Sequence, residues 1–403
     1  MAEAVIVAAS RSPIGRAGKG SLRDMRPDDL AAAMVADALA KVPQLDPARI
    51  DDLMLGCAQP AGEQGYGLAR VVAVMLGLNG VPGTTVQRYC ASSLQSTRMA
   101  MHAIRAGEGS AFVSAGVESV SRYPLGKSDG LPGTHNPLFA AAEQRTASRA
   151  LAGSDSWREP AGLADVYIAM GQTAENVAQR YGVTRTDQDE FALRSQTRAA
   201  KSTAAGFWAR DITPVTTPSG AVVDADDCPR PDSTLAGLAG LKPVFRPDGT
   251  VTAGNSCPLN DGAAALVIMS DARAAELGIT PLARIVSTAV TAVSPEIMGV
   301  TPIEATRRAL SNAGMTIADL DLVEINEAFA AQAVASCREL GLDESIVNVH
   351  GGAIAVGHPF GMTGARITTT LLNALAWDDK ETGLETMCTA GGQGMAMVVQ
   401  RLS

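Results

Sequence analysis

Short apolar runs alternate with amphipathic stretches along most of the chain. The opening Met1 to Ala9 is mostly apolar, has no basic head, and reads as a first β-strand rather than a secretory signal. Asp28 to Val42, DDLAAAMVADALAKV, carries apolar residues at helical spacing behind the start signal Pro27-Asp28. Ile50 to Leu55 reads as a strand. Thr84-Thr85-Val86 is a short strand leading through Cys90 into a helical run, Ala91 to Arg105, and Phe112 to Gly116 is a further strand. Ala263 to Met269 has the continuous apolar character of a buried strand and falls well short of the ~20 residues a membrane helix needs.

The second part of the chain repeats this order. Ala283 to Ala292 is a strand, Pro302 to Ala313 a helix, Leu320 to Ile325 a strand and Glu327 to Leu340 a helix. A glycine-rich loop, Gly351 to Gly364, enters the helix Ala365 to Ala376, and the strands Leu384 to Cys388 and Met395 to Gln400 follow. Ile50 to Met54 resembles Leu320 to Glu324 in register. Leu53 to Cys90 spans 37 positions and Leu322 to His358 spans 36. The alternation predicts an α/β fold, and the spacing predicts that one α/β unit is duplicated. The stretch between, from about Ser121 to Asn260, is rich in turn signals such as Pro132-Gly133 and Pro229-Arg230-Pro231-Asp232. It contains one helix pair, Ala164 to Tyr181 and Thr186 to Ala205, and reads as an inserted lid or binding region.

Composition narrows the partners. The 403 residues hold 33 Lys and Arg against 42 Asp and Glu, a formal charge of -9, which argues against a nucleic-acid surface. Three Trp, five Tyr and seven Phe are too few for an aromatic stacking platform. No Cys-x-x-Cys pair occurs among the six cysteines, so free thiols in a reducing cytoplasm are expected, with no structural zinc.

Four places carry candidate chemistry. Cys90 lies where a strand gives way to a helix; the helix dipole there favours thiolate, while a plain buried Cys is the other reading. His358 sits among the glycines of Gly351 to Gly364 beside Pro359, a setting for a general base. A phosphate-cradling loop is the rival, but neither GxxxxGK[ST] nor a strand-coupled GxGxxG is present. Cys388 ends a strand before Thr389-Ala390-Gly391-Gly392, where backbone N–H groups can face a substrate. Asn326, at a strand-to-helix junction, reads both as an N-cap and as an amide donor to an oxyanion, and Glu327 as a first-turn acid. His102 reads as a helix-face residue, and His135 and His350 as loop residues with no partner visible.

Taken together, these segments resemble the thiolase family. The matching stretches are RSPIGRAGKGSLRD (Arg11 to Asp24), VQRYCASSLQS (Val86 to Ser96), TAGNSCPLNDGAAA (Thr252 to Ala265), EINEAFA (Glu324 to Ala330), GGAIAVGHPFGMTGAR (Gly351 to Arg366) and CTAGGQG (Cys388 to Gly394). The resemblance implies a five-layer αβαβα core of two duplicated half-domains with an inserted loop domain. The expected boundaries are 1–120, completed by about 260–281, for the first half, 121–259 for the inserted CoA-binding loop domain, and 282–403 for the second half.

It further implies reversible CoA-dependent cleavage or condensation of 3-ketoacyl-CoA with ping-pong kinetics. Cys90 is then the acylated nucleophile, His358 its base and Cys388 the second acid/base. Asn326, through a water, and His358 line one oxyanion hole, and the N–H groups of Cys90 and Ala390 line the other. Arg230, Ser256 and Cys257 match coenzyme A contacts, although Cys257-Pro258 stands where Ser-Gly is commoner. Ser93 and Ala390 stand where many members have Gly, and Met170 and Met298 match acyl-pocket positions. Coenzyme A is a substrate; no bound cofactor or metal is required. Acetoacetyl-CoA is the expected substrate, with a broader-chain β-oxidation thiolase as the alternative. A homodimer or homotetramer in the cytoplasm, with no membrane span, completes the expectation. A carrier-protein ketosynthase would need a second catalytic His or an equivalent where CTAGGQG offers Cys388. A pseudoenzyme scaffold would have lost one of Cys90, His358 and Cys388.

Overall fold

The computed structural model describes residues 2–152 and 156–403; Met1, at the head of the expected first strand, and 153–155 of the inserted region lie outside them. In chain order, β1 (Ala4–Arg11), α1 (Pro27–Ala40), β2 (Asp52–Gly56), α2 (Leu68–Met75), β3 (Gly83–Val86), α3 (Ser92–Ala106) and β4 (Ala111–Ser119) come first. The middle region contributes α4 (Met170–Tyr181) and α5 (Arg185–Ala204), and β5 (Asn260–Ser270) returns to the first sheet. The rest is β6 (Ala283–Ala292), α6 (Thr301–Ala313), β7 (Leu322–Ile325), α7 (Ala330–Leu340), α8 (Thr363–Trp377), β8 (Thr382–Thr389) and β9 (Gln393–Arg401).

The strands run in the order β7-β8-β9-β6-β1-β5-β4-β2-β3. The pairing repeats. β2–β4 is parallel, and β4–β5 and β5–β1 are antiparallel. Likewise β7–β8 is parallel, and β8–β9 and β9–β6 are antiparallel. The two sets meet where β1 pairs β6 at only Val5↔Arg284 and Ile6↔Ala283. The duplication expected from spacing is therefore present strand by strand, with α2 and β3 added to the first copy.

Burial defines five layers. Leu30, Val35, Leu68 and Val72 of α1 and α2 pack on Leu53, Val113 and Val267. Leu94 and Met101 of α3, with Leu371 and Leu375 of α8, fill the middle between Ile6 and Ile268 on one side and Ile285 and Met397 on the other. Ala309 and Leu310 of α6 cover Val323, Leu384 and Val398. β4 and β5 are buried along their whole length, which explains apolar runs without alternation. The two central helices approach closely at their heads. A Cβ on Gly364 would lie 2.3 Å from the Leu94 backbone nitrogen. The Ser93 hydroxyl accepts the Ala365 N–H at 2.9 Å, so Ser93, a departure from the common Gly, ties the first turn of α8 to α3.

Two helix expectations change. The run expected to start at Glu327 becomes helical only at Ala330, with Phe329 as its cap in extended geometry, so Asn326 is not an N-cap and Glu327 is not in a helical turn. The reason is tertiary: Ser256 bridges Phe329, Cys257 N–H donates to the Ala328 carbonyl at 3.1 Å, and Ala330 N–H to that of Asn255 at 2.9 Å. The helix expected from Ala164 starts at Met170; Asp165 instead donates its N–H to Glu296 and accepts that of Tyr167. α5 begins as its sequence suggests, with a Thr184–Asp187 capping box.

Candidate active site

Cys90 lies in a tight helical turn, Tyr89–Ala91, immediately before α3. Tyr89 holds φ +44°, uncommon for a residue with a side chain. Ser92 supports the turn: its hydroxyl donates to the Tyr89 carbonyl at 2.6 Å and accepts the Arg88 N–H at 2.9 Å. The Arg88 carbonyl accepts the Thr389 hydroxyl at 2.7 Å, which joins this turn to the end of β8 beside Cys388.

Cys90 is half-buried and opens onto a cavity of about 310 Å³. Its lining includes the apolar Ala58, Val166, Ile168, Met170, Phe360 and Ala390 and the polar Gln59, Asp129, Thr134 and His135, with Tyr89 and Tyr167. Larger hollows of about 620, 490, 410 and 370 Å³ hold none of the expected site residues. Burial and then the Glu118 charge push the Cys90 thiol up to about 12, against the opposing hydrogen bonds of its own N–H and that of Ala390. The helix start expected to favour thiolate is thus outweighed here by burial and the nearby Glu118 charge.

His358, Cys388 and Asn326 are buried. The Asn326 amide nitrogen is 3.3 Å from His358 Nε2, and the Thr363 hydroxyl is 2.6 Å from His358 Nδ1. Thr363 donates its only hydroxyl hydrogen to the Pro359 carbonyl at 2.6 Å. It therefore accepts from His358, which fixes the proton on Nδ1 and leaves Nε2 unprotonated, accepting from the Asn326 amide. Burial, then the Arg366 charge, pulls the imidazole down to about 3, so it is neutral at rest. The His358 N–H donates to Asn260 Oδ1 at 2.9 Å. Gly357, at φ +113°, could not carry a Cβ without meeting Ile14 at 2.6 Å. Phe360, edge-on to His358 at 5.1 Å, also lines the Cys90 cavity.

Cys388 is held as a thiol: burial pushes it well up, and Cys90 and Cys257 add to the effect. Cys257 is likewise pushed up by burial, then by Cys90. The three thiols are thus gathered within electrostatic reach. Ser256 donates its hydroxyl to the Thr252 carbonyl at 2.7 Å. Arg230 is exposed, its N–H held by Gln196 of α5 at 2.7 Å. Met298 is buried in the core and does not line the cavity.

Glu118 was not evident as a site residue. Its carboxylate accepts N–H bonds from Ala58 and Gly361 at 2.8 and 2.9 Å, the Gln64 amide at 2.7 Å and the Tyr123 hydroxyl at 3.0 Å. It thereby clamps the loop after β2 to the His358 loop. Its signal is a lone acid inside the buried run AFVSAGVES. Glu327 does the same for the inserted region, accepting from Ser195, Asn348 and the Ile354 N–H at 2.7, 2.7 and 3.0 Å. Two of the other histidines also gain partners. His135 bonds Glu143 and stacks on Tyr167; His350 bonds Ser202 and Asp378 and stacks on Phe207.

The duplicated αβαβα core thus carries a thiol just before α3 and an imidazole just before α8, at the heads of its two central helices. The chain belongs to the thiolase family. The descriptions "Thiolase, N-terminal domain" and "Thiolase, C-terminal domain" match residues 4–272 and 279–401. It is 44% identical to the 3-oxoadipyl-CoA/3-oxo-5,6-dehydrosuberyl-CoA thiolase of Escherichia coli K12, covering all of both chains. It is 42% identical to a 3-ketoacyl-CoA thiolase of Bacillus subtilis strain 168, covering 99% of this chain and all of that one. The crystal structure of the Bacillus anthracis acetyl-CoA acetyltransferase superposes with a TM-score of 0.86 at 38% identity, covering 100% of this chain and 99% of that one. No helix among the described residues is long and apolar enough to cross a membrane.

Proposed function

We propose that the chain cleaves and forms 3-ketoacyl-CoA reversibly through an acyl-Cys90 thioester, with acetoacetyl-CoA as its shortest substrate. The observation that carries this reading is the Thr363–His358–Asn326 chain at the head of α8, which packs closely on the head of α3 that follows Cys90. A neutral thiol and a neutral imidazole with an unprotonated Nε2 are matched for proton transfer at the moment of attack. Cys90 Sγ bonds the 3-keto carbon and its proton passes to His358 Nε2. The bond between C2 and C3 then breaks, and the Cys388 thiol protonates the departing enolate carbon to give acetyl-CoA. In the second half, the Cys388 thiolate takes the proton of an incoming CoA thiol, which attacks the thioester and releases Cys90, and the Cys90 sulfur recovers its proton from His358. Asn326 Oδ1 is buried without a partner among the described residues, which supports a role in holding a water at one oxyanion site. The N–H groups of Cys90 and Ala390 that favour the Cys90 thiolate support the other oxyanion site. Arg230, Ser256 and Cys257 are the proposed coenzyme A contacts.

The cavity favours a second reading for the acyl group. A volume of about 310 Å³ exceeds what an acetyl group fills, and Gln59, Asp129 and His135 are among its lining. A relative named for 3-oxoadipyl-CoA motivates testing a longer chain. The test is kcat/KM for four-, six-, eight- and sixteen-carbon 3-ketoacyl-CoA and for 3-oxoadipyl-CoA. A steep fall beyond four carbons supports acetoacetyl-CoA; a flat or rising series supports the longer chain. Cys90→Ala, folded but fully active in thiolysis, would remove the whole mechanism.

A further inference from the structure

We propose that Glu324, Glu385 and Arg366 form a buried proton-holding cluster that sets the charge beneath His358. Glu324 on β7 and Glu385 on β8 are register partners on adjacent parallel strands, so their side chains share one face. All three residues are almost completely buried. The Thr368 hydroxyl of α8 lies 3.0 Å from Glu385 Oε2 and 2.9 Å from the Gly364 carbonyl, which identifies that face as the one covered by α8. Arg366 lies on the same helix. Its Nε and Nη1, and Glu385 Oε1, have no hydrogen-bond partner among the described residues.

The charges do not balance without a proton. Glu324 faces Arg366 on α8, Glu327 after β7, Asp211 before β5 and Arg198 on α5. Glu385 faces Thr368, Arg366 and Glu324. Arg366 is reached by Glu324, Arg11, Asp211 and Asp226. Asp211 and Asp226 are already committed to Arg11, at 2.6 and 2.5 Å. Glu327 is spoken for by its three donors, and Arg198 bonds backbone carbonyls of Glu344 and Val347. Arg366 is therefore the cation left within electrostatic reach of two adjacent buried carboxylates, and a retained proton is the state that balances the three. Burial pushes each of the two glutamates up to about 8, in line with that state.

The cluster sits one layer below the site. Glu324 precedes Asn326 by two strand residues, Glu385 precedes Cys388 by three, and Arg366 follows Thr363 by about one helical turn. The partners of both His358 ring nitrogens thus stand on the elements that hold the cluster. While the proton is held, one carboxylate balances Arg366 and the cluster is neutral. When it leaves, the cluster carries a net negative charge that favours imidazolium, and His358 becomes the stronger base. Glu324, Glu385 and Arg366 act through His358 and are positioning residues. The inference rests on His358 being the base of the proposed reaction.

The test has two arms. Infrared difference spectra of the wild-type protein, with E324Q and E385Q as assignments, read the carboxylic acid directly. The expected result is a protonated buried carboxyl band at neutral pH that is lost on alkalinisation and weakened in both variants. The second arm is kcat/KM for thiolysis from about pH 6 to about pH 10. The wild-type to E385Q ratio should grow by about tenfold across the range, the size of one pKa unit at His358. A merely structural role would lower E385Q equally at every pH. No carboxyl band in the wild-type protein, or a ratio that stays flat, overturns the cluster. Loss of thiolysis as the activity would leave the infrared arm standing, so the two failures are distinguishable.

Discussion

The Thr363 hydroxyl accepts the Nδ1 proton of His358 at 2.6 Å because its own hydrogen is committed to the Pro359 carbonyl. One side chain thus selects the imidazole tautomer. Thr363→Val would leave two buried groups unpaired, at about 1–3 kcal/mol each. It should lower kcat/KM by about 100-fold, the scale of general-base assistance. Thr363→Ser should restore most of it. Steady-state kinetics with a melting curve would separate tautomer loss from unfolding; equal activity of the Val and wild-type proteins would contradict the assignment.

The resting state of Cys90 has its own signature. The thiol is protonated below its raised pKa, so its alkylation by iodoacetamide should climb with pH through the neutral and moderately alkaline range. A plateau already reached near neutrality would mean a preformed thiolate and would contradict the neutral pair. The measurement is the pseudo-first-order rate against pH, with Cys90→Ala as the blank.

Glu118 should matter for stability before chemistry. Glu118→Ala removes the acceptor for four buried donors, a loss of about 3–5 kcal/mol. Denaturant unfolding would read it. The fraction that stays folded should also lose activity, because Gly361 is released three residues from His358.

Met170 offers a handle on chain length. Met170→Trp would fill part of the cavity beside Cys90. Thiolysis of an eight-carbon substrate should fall by at least about tenfold, while the four-carbon substrate changes by less than about threefold. Equal losses for both would place the acyl chain elsewhere.

Much of this was legible in the linear sequence, for definite reasons. The strands β6 and β7, and the helices α1 and α6, carry their periodicity locally. Cys90, His358, Asn326 and Cys388 stand in segments whose residue types and order resemble one family, and the chain belongs to that family. The missing parts depend on contacts distant in sequence. Asn326 is kept out of α7 by pairing with 255–257. The Cys90 thiol is raised by burial and by Glu118, neither visible from a local helix start. His350 finds Asp378 28 residues away and Ser202 148 residues away. Ser93 looked like a small departure and proved to be a tie between the central helices.

The repeated strand pairing puts Cys90 before α3 and His358 before α8, matching corners of two copies of one unit. A symmetric pair of identical half-length chains would present two thiols or two imidazoles at those corners. Joining the copies in one polypeptide lets each corner mutate independently of its twin. The seam at Val5 and Ile6 therefore permits a division of labour that symmetry forbids.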